Sequence, residues 1–467
     1  MADEIQMPDA TAVPDSPPAE VAPLAPVTAR FDRADAWSFA VTALVAFSVY
    51  WFTLVPNVTL EDSGILSVGA MYAGVSSPPG YPVWTIYSWL FVKLLPFSNI
   101  AWRIAIGSAV ASALACGSVA LMVSFGGRMA FGGMTSFSQL KSCEQNLLRG
   151  VCGCVAGLVL GFSGPVWDYA VIVETQSLSF LLFVGGLSFL LRWFFEPGRR
   201  RFLYATFFLF GLLLTNSQEL LVALPGLTAA VMLADEKLGR DLTFFALPLI
   251  VLGTIRNQSN AIWTVYLTNI NWPMLGMFLA VLLAGIALAI KTRRVGNEWK
   301  AALLCGFCFL LGLAFYLYLP IASMTNPPVN WAYPRTVEGF LHALGRGQFE
   351  RVHPTESLRA YINQIGLLAL ITGKKFGWLY PGFAAVPFGM IRWIQSTGRR
   401  WLLILLTTYA CVGFGLLAQI NPPADRQALE IIEVYFAPSF AILAVLFGLG
   451  LIIIGAKITK SNAEIST

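Results

Sequence analysis

The sequence predicts an all-α polytopic membrane protein of about twelve transmembrane helices, with interfacial helices on one face and no large soluble domain. Three observations lead there. The 467 residues are 57% hydrophobic and only 12% charged, and the mean hydropathy is +0.69. Apolar runs near the length of a bilayer crossing recur from end to end, and the two-residue alternation of a membrane barrel is missing.

Residues 1–34 are rich in Pro, Ala and acidic side chains, cannot bury enough apolar area to fold, and read as a disordered tail. The first apolar run begins near Trp37 without a basic leader or small-residue cleavage site, and reads as a retained anchor. Spans are expected near 36–56, 100–125, 149–163, 174–192, 202–215, 219–234, 241–256, 273–291, 299–321, 376–391, 401–419 and 434–456. A membrane module therefore covers 35–321, a long outer loop 322–375, and C-terminal helices 376–456, before a short tail, 457–467. The first outer loop is 57–99. Its segment "YPVWTIYSWLFVKLLPF" (81–97) is apolar enough to span, but doing so would invert every later basic turn, so it is laid in the outer interface.

The net charge of +5 has a simple origin. "RWFFEPGRRR" (192–201), "KTRRVGNEWK" (291–300), "RWIQSTGRR" (392–400), Lys457 and Lys460 form basic turns, which the positive-inside rule puts in the cytoplasm with both termini. They are no nucleic-acid signal. The seven cysteines lie in apolar runs or one cytoplasmic loop, and read as packing residues rather than a disulfide framework.

The outer segments hold the chemistry. "TLEDSGILSVGAMYAGVSSPPGYP" (59–82) puts Glu61 and Asp62 where the first helix leaves the membrane, then breaks the backbone with prolines. An acidic residue before Ser and Gly is either a helix cap or a catalytic carboxylate. On the same side stand Arg103, Asp168 and Glu174 in "GPVWDYAVIVETQSL", Asn216, Gln218 and Glu219 in "LLLTNSQELL", and the stretch "YLPIASMTNPPVNWAYPRTVEGFLHALGRGQFERVH" (318–353). Ionisable groups at membrane depth normally face a cavity or a partner.

These motifs, in this order, resemble the large membrane family, long of unknown function, whose animal member is the O-mannosyltransferase of plexin and growth-factor-receptor ectodomains. The likeness runs from about Trp51 to Phe349, with an echo in "EVYFAPSFAILAVLFGLGL" (433–451). The resemblance implies a C-class (GT-C) fold and transfer of a sugar from a polyprenyl-phosphate carrier to a hydroxyl on protein, glycan or lipid. Such an enzyme needs no nucleotide site, and no P-loop or Rossmann fingerprint is present. Asp62 is then the expected general base of an inverting transfer, with Glu61 the alternate. The candidates for donor phosphate or sugar are Arg103, Glu174, Asn216, Asn330, Trp331, Arg335, His342, Arg346 and Lys374, with Arg351, His353 and Lys375 as further outer cations. Ser63, Tyr81, Trp84, Asp168 and Tyr333 are candidates for the acceptor or groove wall.

The chain departs from the family pattern at Ile65 (Glu is usual), Ser77 (His), Ala322 (Arg), Tyr333 (Asp) and "NSQ" 216–218 (Asn-His-His). These exchanges remove polar groups, so no metal or other cofactor is expected. Two other classes match the span count, a polyprenyl-linked sugar flippase or transporter and a non-catalytic glycan-binding relative. The halves 36–256 and 273–456 share no motif, unlike many transporters. The Pro/Ala-rich tail and compact loops suggest a bacterial inner membrane with the site facing the periplasm.

Overall fold

The computed structural model describes residues 30–59, 62–255, 272–348, 355, 357–423 and 432–465. Most of the expected N-terminal tail, Glu61, Arg351, His353 and the outer loop expected after residue 256 lie outside the described residues. The helices are α1 (Arg33–Thr53), α2 (Ser63–Met71), α3 (Pro82–Leu94), α4 (Ile100–Phe131), α5 (Ser142–Gly161), α6 (Gly164–Ala170), α7 (Gln176–Phe194), α8 (Arg200–Leu214), α9 (Leu224–Ala234) and α10 (Glu236–Ile255). They continue with α11 (Trp272–Thr292), α12 (Trp299–Leu313), α13 (Val337–Leu344), α14 (Leu358–Phe376), α15 (Leu379–Gly389), α16 (Ser396–Tyr409) and α17 (Ala437–Ile465).

Each of the twelve stretches expected to span contains helix, but the lengths separate them. Among the described residues six helices are long and apolar enough to cross a membrane: Arg33–Thr53, Ile100–Phe131, Gln176–Phe194, Trp299–Met324, Ser396–Ile420 and Glu433–Thr459. Counting α5 and α6 as one span bent by 70° makes seven. Arg201–Leu214, Gln218–Ala234 and Gly276–Thr292 are shorter apolar helices, each under the length of a perpendicular crossing. The chain is an integral membrane protein of helical architecture.

α4 is the central mast, packed by α1, α5, α7 and α17. Small residues let the helices approach closely. A Cβ on Gly157 of α5 would stand 2.6 Å from the Cys116 carbonyl of α4, so only glycine allows that contact. At one end of this trio Asp32 caps α1 with a reciprocal Asp35 box, and both carboxylates meet arginines of the neighbouring helices. Arg128 lies 2.8 Å from Asp32 and 3.3 Å from Asp35; Arg149, itself fully buried, pairs with both. Ser124 donates to Asp35 at 2.7 Å. Burial works to raise the Asp32 pKa, but the Asp35 N–H and the two guanidinium groups outweigh it and hold the carboxyl below its usual range. The same end gathers other basic turns, pinned by acids: Arg200 to Glu298 and Lys291 to Glu236, both at 2.7 Å. The last helix also ends here, with Lys457 Nζ 3.4 Å from Met390 Sδ.

At the opposite end lie α2, α3, α6, α13 and the loop after Met324. α3, with 13 residues, is too short to cross and lies against α4, where Tyr87 Oη donates to the Gly107 carbonyl at 2.8 Å. The expected outer loop 322–375 is partly helical: α14 starts beside the end of the span Ser396–Ile420, where Thr355 N donates to the Ala418 carbonyl at 3.0 Å, and finishes at Lys375, 3.2 Å from Glu433. Both ends of α14 therefore sit at the outer level.

Removing one partner of a buried ion pair strands the other. Arg149→Met is expected to destabilise the protein by about 3–5 kcal/mol, and Arg149→Met with Asp35→Leu to recover most of it, read from thermal melting in detergent. The lowered Asp32 pKa gives a pH sign. Its contribution is complete above about pH 4, near the unfolded value, and is lost as pH falls through the lower native value. Melting temperature should drop on acidification below pH ~4, less steeply in Asp32→Asn.

Candidate active site

The outer end is assembled from segments far apart in sequence. α1 leads out to Val55, whose N–H donates to the Val171 carbonyl at 3.1 Å, and Trp167 Nε1 donates to Thr53 Oγ1 at 3.1 Å. α2 then begins at Asp62. This residue occupies the N-cap position, yet its side chain makes no capping hydrogen bond and stands exposed. Ser63, the neighbouring candidate, is buried and donates to the Thr59 carbonyl at 2.6 Å, so it supports the helix start rather than lining a groove.

The proline turn is braced from the other side. Gly80 N donates to the Ser77 carbonyl at 2.8 Å, Gly80 has φ +90°, and a Cβ there would meet Leu319 Cδ2 at 2.6 Å. Both the backbone sign and the space require glycine. Tyr81 follows in the left-handed region (φ 41°), and Pro82 opens α3 with the fixed φ that suits a first helical turn. Val75 pairs in parallel with Asn330, through Val75 N to Val329 O at 3.0 Å and Trp331 N to Val75 O at 3.1 Å. Tyr318 Oη donates to the Ala73 carbonyl at 2.5 Å. The two proline-rich motifs, "SSPPGYP" and "NPPVNWAYP", are thus neighbours.

Between the second of these motifs and α2 opens a cleft of about 570 Å³, lined by Ile65 and residues 326–333. Ile65 lies one turn beyond Asp62. Trp331 and Tyr333 are partly or largely exposed; Trp331 Nε1 donates to Gln348, and the Arg335 guanidinium sits 5.6 Å from the Tyr333 ring centre while donating to Asn326 Oδ1 at 2.6 Å. Asn330 Nδ2 donates to the Ser323 carbonyl at 3.2 Å, and its buried Oδ1 has no protein partner.

Several expected site residues serve the scaffold. Arg103 is spent on carbonyls: its guanidinium donates to Phe97 at 2.9 Å, Ser98 at 2.8 Å and Val92 at 3.3 Å, closing the turn from α3 to α4. Trp84 is buried rather than groove-lining; its N–H donates to Asn216 Oδ1 at 3.3 Å and its Nε1 to the Glu174 carbonyl at 3.0 Å. Asn216 is thereby a strut, with Nδ2 left unpartnered. Gln218 Nε2 donates to Tyr316 Oη at 2.9 Å and to the Leu344 carbonyl at 3.1 Å. Glu174 Oε1 accepts from Thr175 N at 2.8 Å. Asp168, on α6 outside the spans, neighbours Lys375; burial pushes its carboxyl up, and Lys375 works against that. Lys374 is exposed, and His342 packs at the end of α13 against Gly347.

A second group gathers behind the turn. Burial pushes the Tyr81 hydroxyl well above the ordinary tyrosine range; Arg346 opposes this, and Tyr435, Glu174 and Glu219 reinforce it. Tyr435 in turn feels Glu219, Arg346, Glu174 and Asp62. Tyr435 was absent from the sequence candidates because a tyrosine heading an apolar run reads as an interface anchor. Glu219 was noted in its motif but given no role.

With this geometry in view, comparison with known proteins is informative. Residues 62–240 match the family model described as the Protein O-mannosyl-transferase TMEM260 N-terminal domain. This segment is similar to the TMEM260 N-terminal domain. The mouse Protein O-mannosyl-transferase TMEM260 is 31% identical over 148 residues, 32% of this chain and 18% of that protein. The Dictyostelium discoideum Protein O-mannosyl-transferase tmem260 is 28% identical over 148 residues, 31% of this chain and 16% of that protein. The aligned part is less than a fifth of either relative's length. The TMEM260-like segment begins at Asp62 and includes Asp168, Glu174, Asn216 and Glu219; the loop 326–346 lies beyond it. Of the five departures from the family pattern, Ile65 and Tyr333 both line the cleft.

The turn generates a direct test. Gly80→Ala must adopt a left-handed backbone and displace Leu319, and is expected to cost about 1–3 kcal/mol, read as a lower melting temperature in detergent.

Proposed function

We infer that this chain is an integral-membrane glycosyltransferase that moves a sugar from a polyprenyl-phosphate-linked donor to a hydroxyl acceptor on protein, glycan or lipid, with inversion at the anomeric carbon. The observation that carries the reading is Asp62: a carboxylate at a helix N-cap that declines the cap, stands exposed one turn before Ile65 of the cleft wall, and opens the segment similar to the O-mannosyl-transferases. The relatives' names make mannose the first sugar to try.

In this mechanism Asp62 removes the proton of the acceptor hydroxyl as its oxygen attacks the anomeric carbon. The bond from that carbon to the phosphate oxygen breaks, and the carrier phosphate leaves with the electron pair. General-base help of this kind contributes roughly 10²–10⁴-fold. The departing phosphate gains negative charge, and Arg346, grouped with Tyr81 and Tyr435, is the cation best related to the same end. Trp331, Tyr333 and the amides of Asn326 and Asn330 give the cleft both stacking faces and hydrogen-bonding groups, the combination a sugar ring needs. The reading involves no metal. α1 begins, and α17 ends, at the far end of the bundle, so a cytoplasmic location for both puts the site across the membrane, in the periplasm for a bacterial host. The finer count of about twelve spans rests on the shorter apolar helices crossing where the bilayer thins locally or flanking residues snorkel.

Asp62→Asn keeps the shape of the side chain and removes the base. Because the carboxylate makes no capping bond, melting temperature should stay within about 2 °C of wild type. Release of mannose from polyprenyl-phosphate mannose, with membrane extract as mixed acceptor, should fall at least about a hundredfold. Wild type that consumes none of a panel of polyprenyl-phosphate sugars, yet moves the carrier across vesicles, would replace this reading with transport.

A further inference from the structure

The two sides of α14 are reversed relative to a helix in water. Its buried side carries Gln364, Leu368 and Thr372, one turn apart, and the polar groups there are satisfied by the protein. Gln364 Nε2 donates to Asn421 Oδ1 at 2.9 Å and to the Pro422 carbonyl at 3.2 Å, its Oε1 accepts from Thr355 Oγ1 at 2.8 Å, and Thr372 Oγ1 donates to the Leu368 carbonyl at 2.8 Å. The opposite side shows Leu358, Ile362, Gly366, Ala369 and Leu370 to the surroundings, with Leu358 69% and Ile362 58% exposed. A helix facing water turns such a row inward and its glutamine outward.

The level of α14 is fixed at both ends. Near its start Tyr361 Oη donates to the Phe414 carbonyl at 3.0 Å, and at its end the Phe376 ring centre lies 5.3 Å from that of Phe440. Phe414 and Phe440 each stand about two turns in from the outer end of their own spans, Ser396–Ile420 and Glu433–Thr459. A helix of 19 residues, about 28 Å long, whose two ends share one depth runs along the membrane and does not cross it. Gly377, with φ 77°, then turns the chain, and α15 follows α17 inward from Tyr380, stacked 4.3 Å from Phe447, to Met390 beside Lys457. At that corner Trp378 folds over Gly373, where a Cβ would meet its ring at 2.6 Å, and stays exposed, as tryptophans do at a membrane surface. The charges of α14 are Arg359, Lys374 and Lys375, with no acid among them. Lys375 turns to Glu433 at 3.2 Å, whereas Arg359, Asn363 and Lys374 lie along one edge of the exposed side.

We propose that α14 is an in-plane membrane helix, with Leu358, Ile362 and Ala369 immersed at the boundary of headgroups and acyl chains in the outer leaflet, and Arg359 and Lys374 reaching lipid phosphates. The partner of this face is the bilayer itself, because the exposed apolar side lies at the depth where the neighbouring spans are still within the membrane and its cationic edge matches anionic headgroups. The inference does not depend on the transferase reading. It gives the segment a definite role: a float at the outer surface, tied by Lys375 to the start of the last span, that sets the depth of the outer end.

Depth can be read by fluorescence. A small fluorescent amino acid replaces Leu358 or Ala369 in the full chain, reconstituted in vesicles of phosphatidylethanolamine and phosphatidylglycerol. These positions share one line of the helix and stand about 16 Å apart along it. In-plane seating predicts that both are quenched alike, about twofold more by lipid bearing a nitroxide near the headgroup than by lipid bearing it near the chain end, and that aqueous iodide quenches neither strongly. Opposite nitroxide preferences at the two positions mean a crossing helix and overturn the proposal. Strong iodide quenching at both means a helix in water, and no quenching by lipid or iodide means a face covered by protein; either overturns it as well. Should one labelled chain fail to fold, Ile362, on the same line, takes its place.

Discussion

The buried meeting of Asp35 with Arg149 is the constraint from which the rest of the arrangement follows. Neither charge can be left alone in an apolar interior, so α1, α4 and α5 are held in one register at that end, where Arg128, Asp32 and Ser124 complete the group. α4 then runs 32 residues, about 48 Å at the helical rise, well past the thickness of a hydrocarbon core. Its far end therefore emerges in a polar layer, and it carries α3, α6 and the start of α7 with it. What happens at Asp62 is set by contacts made a membrane's thickness away.

At that emergent end the backbone ceases to be regular, and the cost is visible in its dihedrals. Among the described residues all the non-glycine positive-φ positions except Arg293 lie there: Ala73, Tyr81, Ser98, Asn326, Ala332, Tyr333, Arg346 and Asn421. Each is tolerated because neighbours overdetermine it, as the Val75–Asn330 pairing and the Trp84 struts do for the two proline-rich loops. The outcome is a rigid rim around a cleft, with the exposed Asp62 one turn before Ile65 of its wall.

The likeness to the O-mannosyl-transferases stops at residue 240, whereas the cleft draws most of its wall from residues 326–333. The matched part contains Asp62 and the helices that support it; the part beyond it contributes residues 326–333 of the cleft wall. Ile65 and Tyr333 make that surface less acidic than the family pattern. Where substrate choice diverges from the relatives, this wall is where the physical difference lies.

Much of the fold was legible in the chain because its information is local: long apolar runs mark helices, basic turns gather at one end, and prolines break the backbone wherever they stand. The described polar candidates gather at one end for the same reason. The crossing count was not legible, since hydropathy reports that a stretch is apolar and not whether it is long enough when folded. α14 was taken for loop because Asn363, Gln364, Lys374 and Lys375 interrupt its apolar stripe. The roles of individual side chains were decided only by tertiary structure. Whether Arg103 meets a phosphate or a carbonyl depends on a turn 5 to 11 residues away, and whether Trp84 lines a groove or bears a load on partners 90 and 132 residues away. A linear sequence names the donors and acceptors; only the packed chain determines which of them are already satisfied.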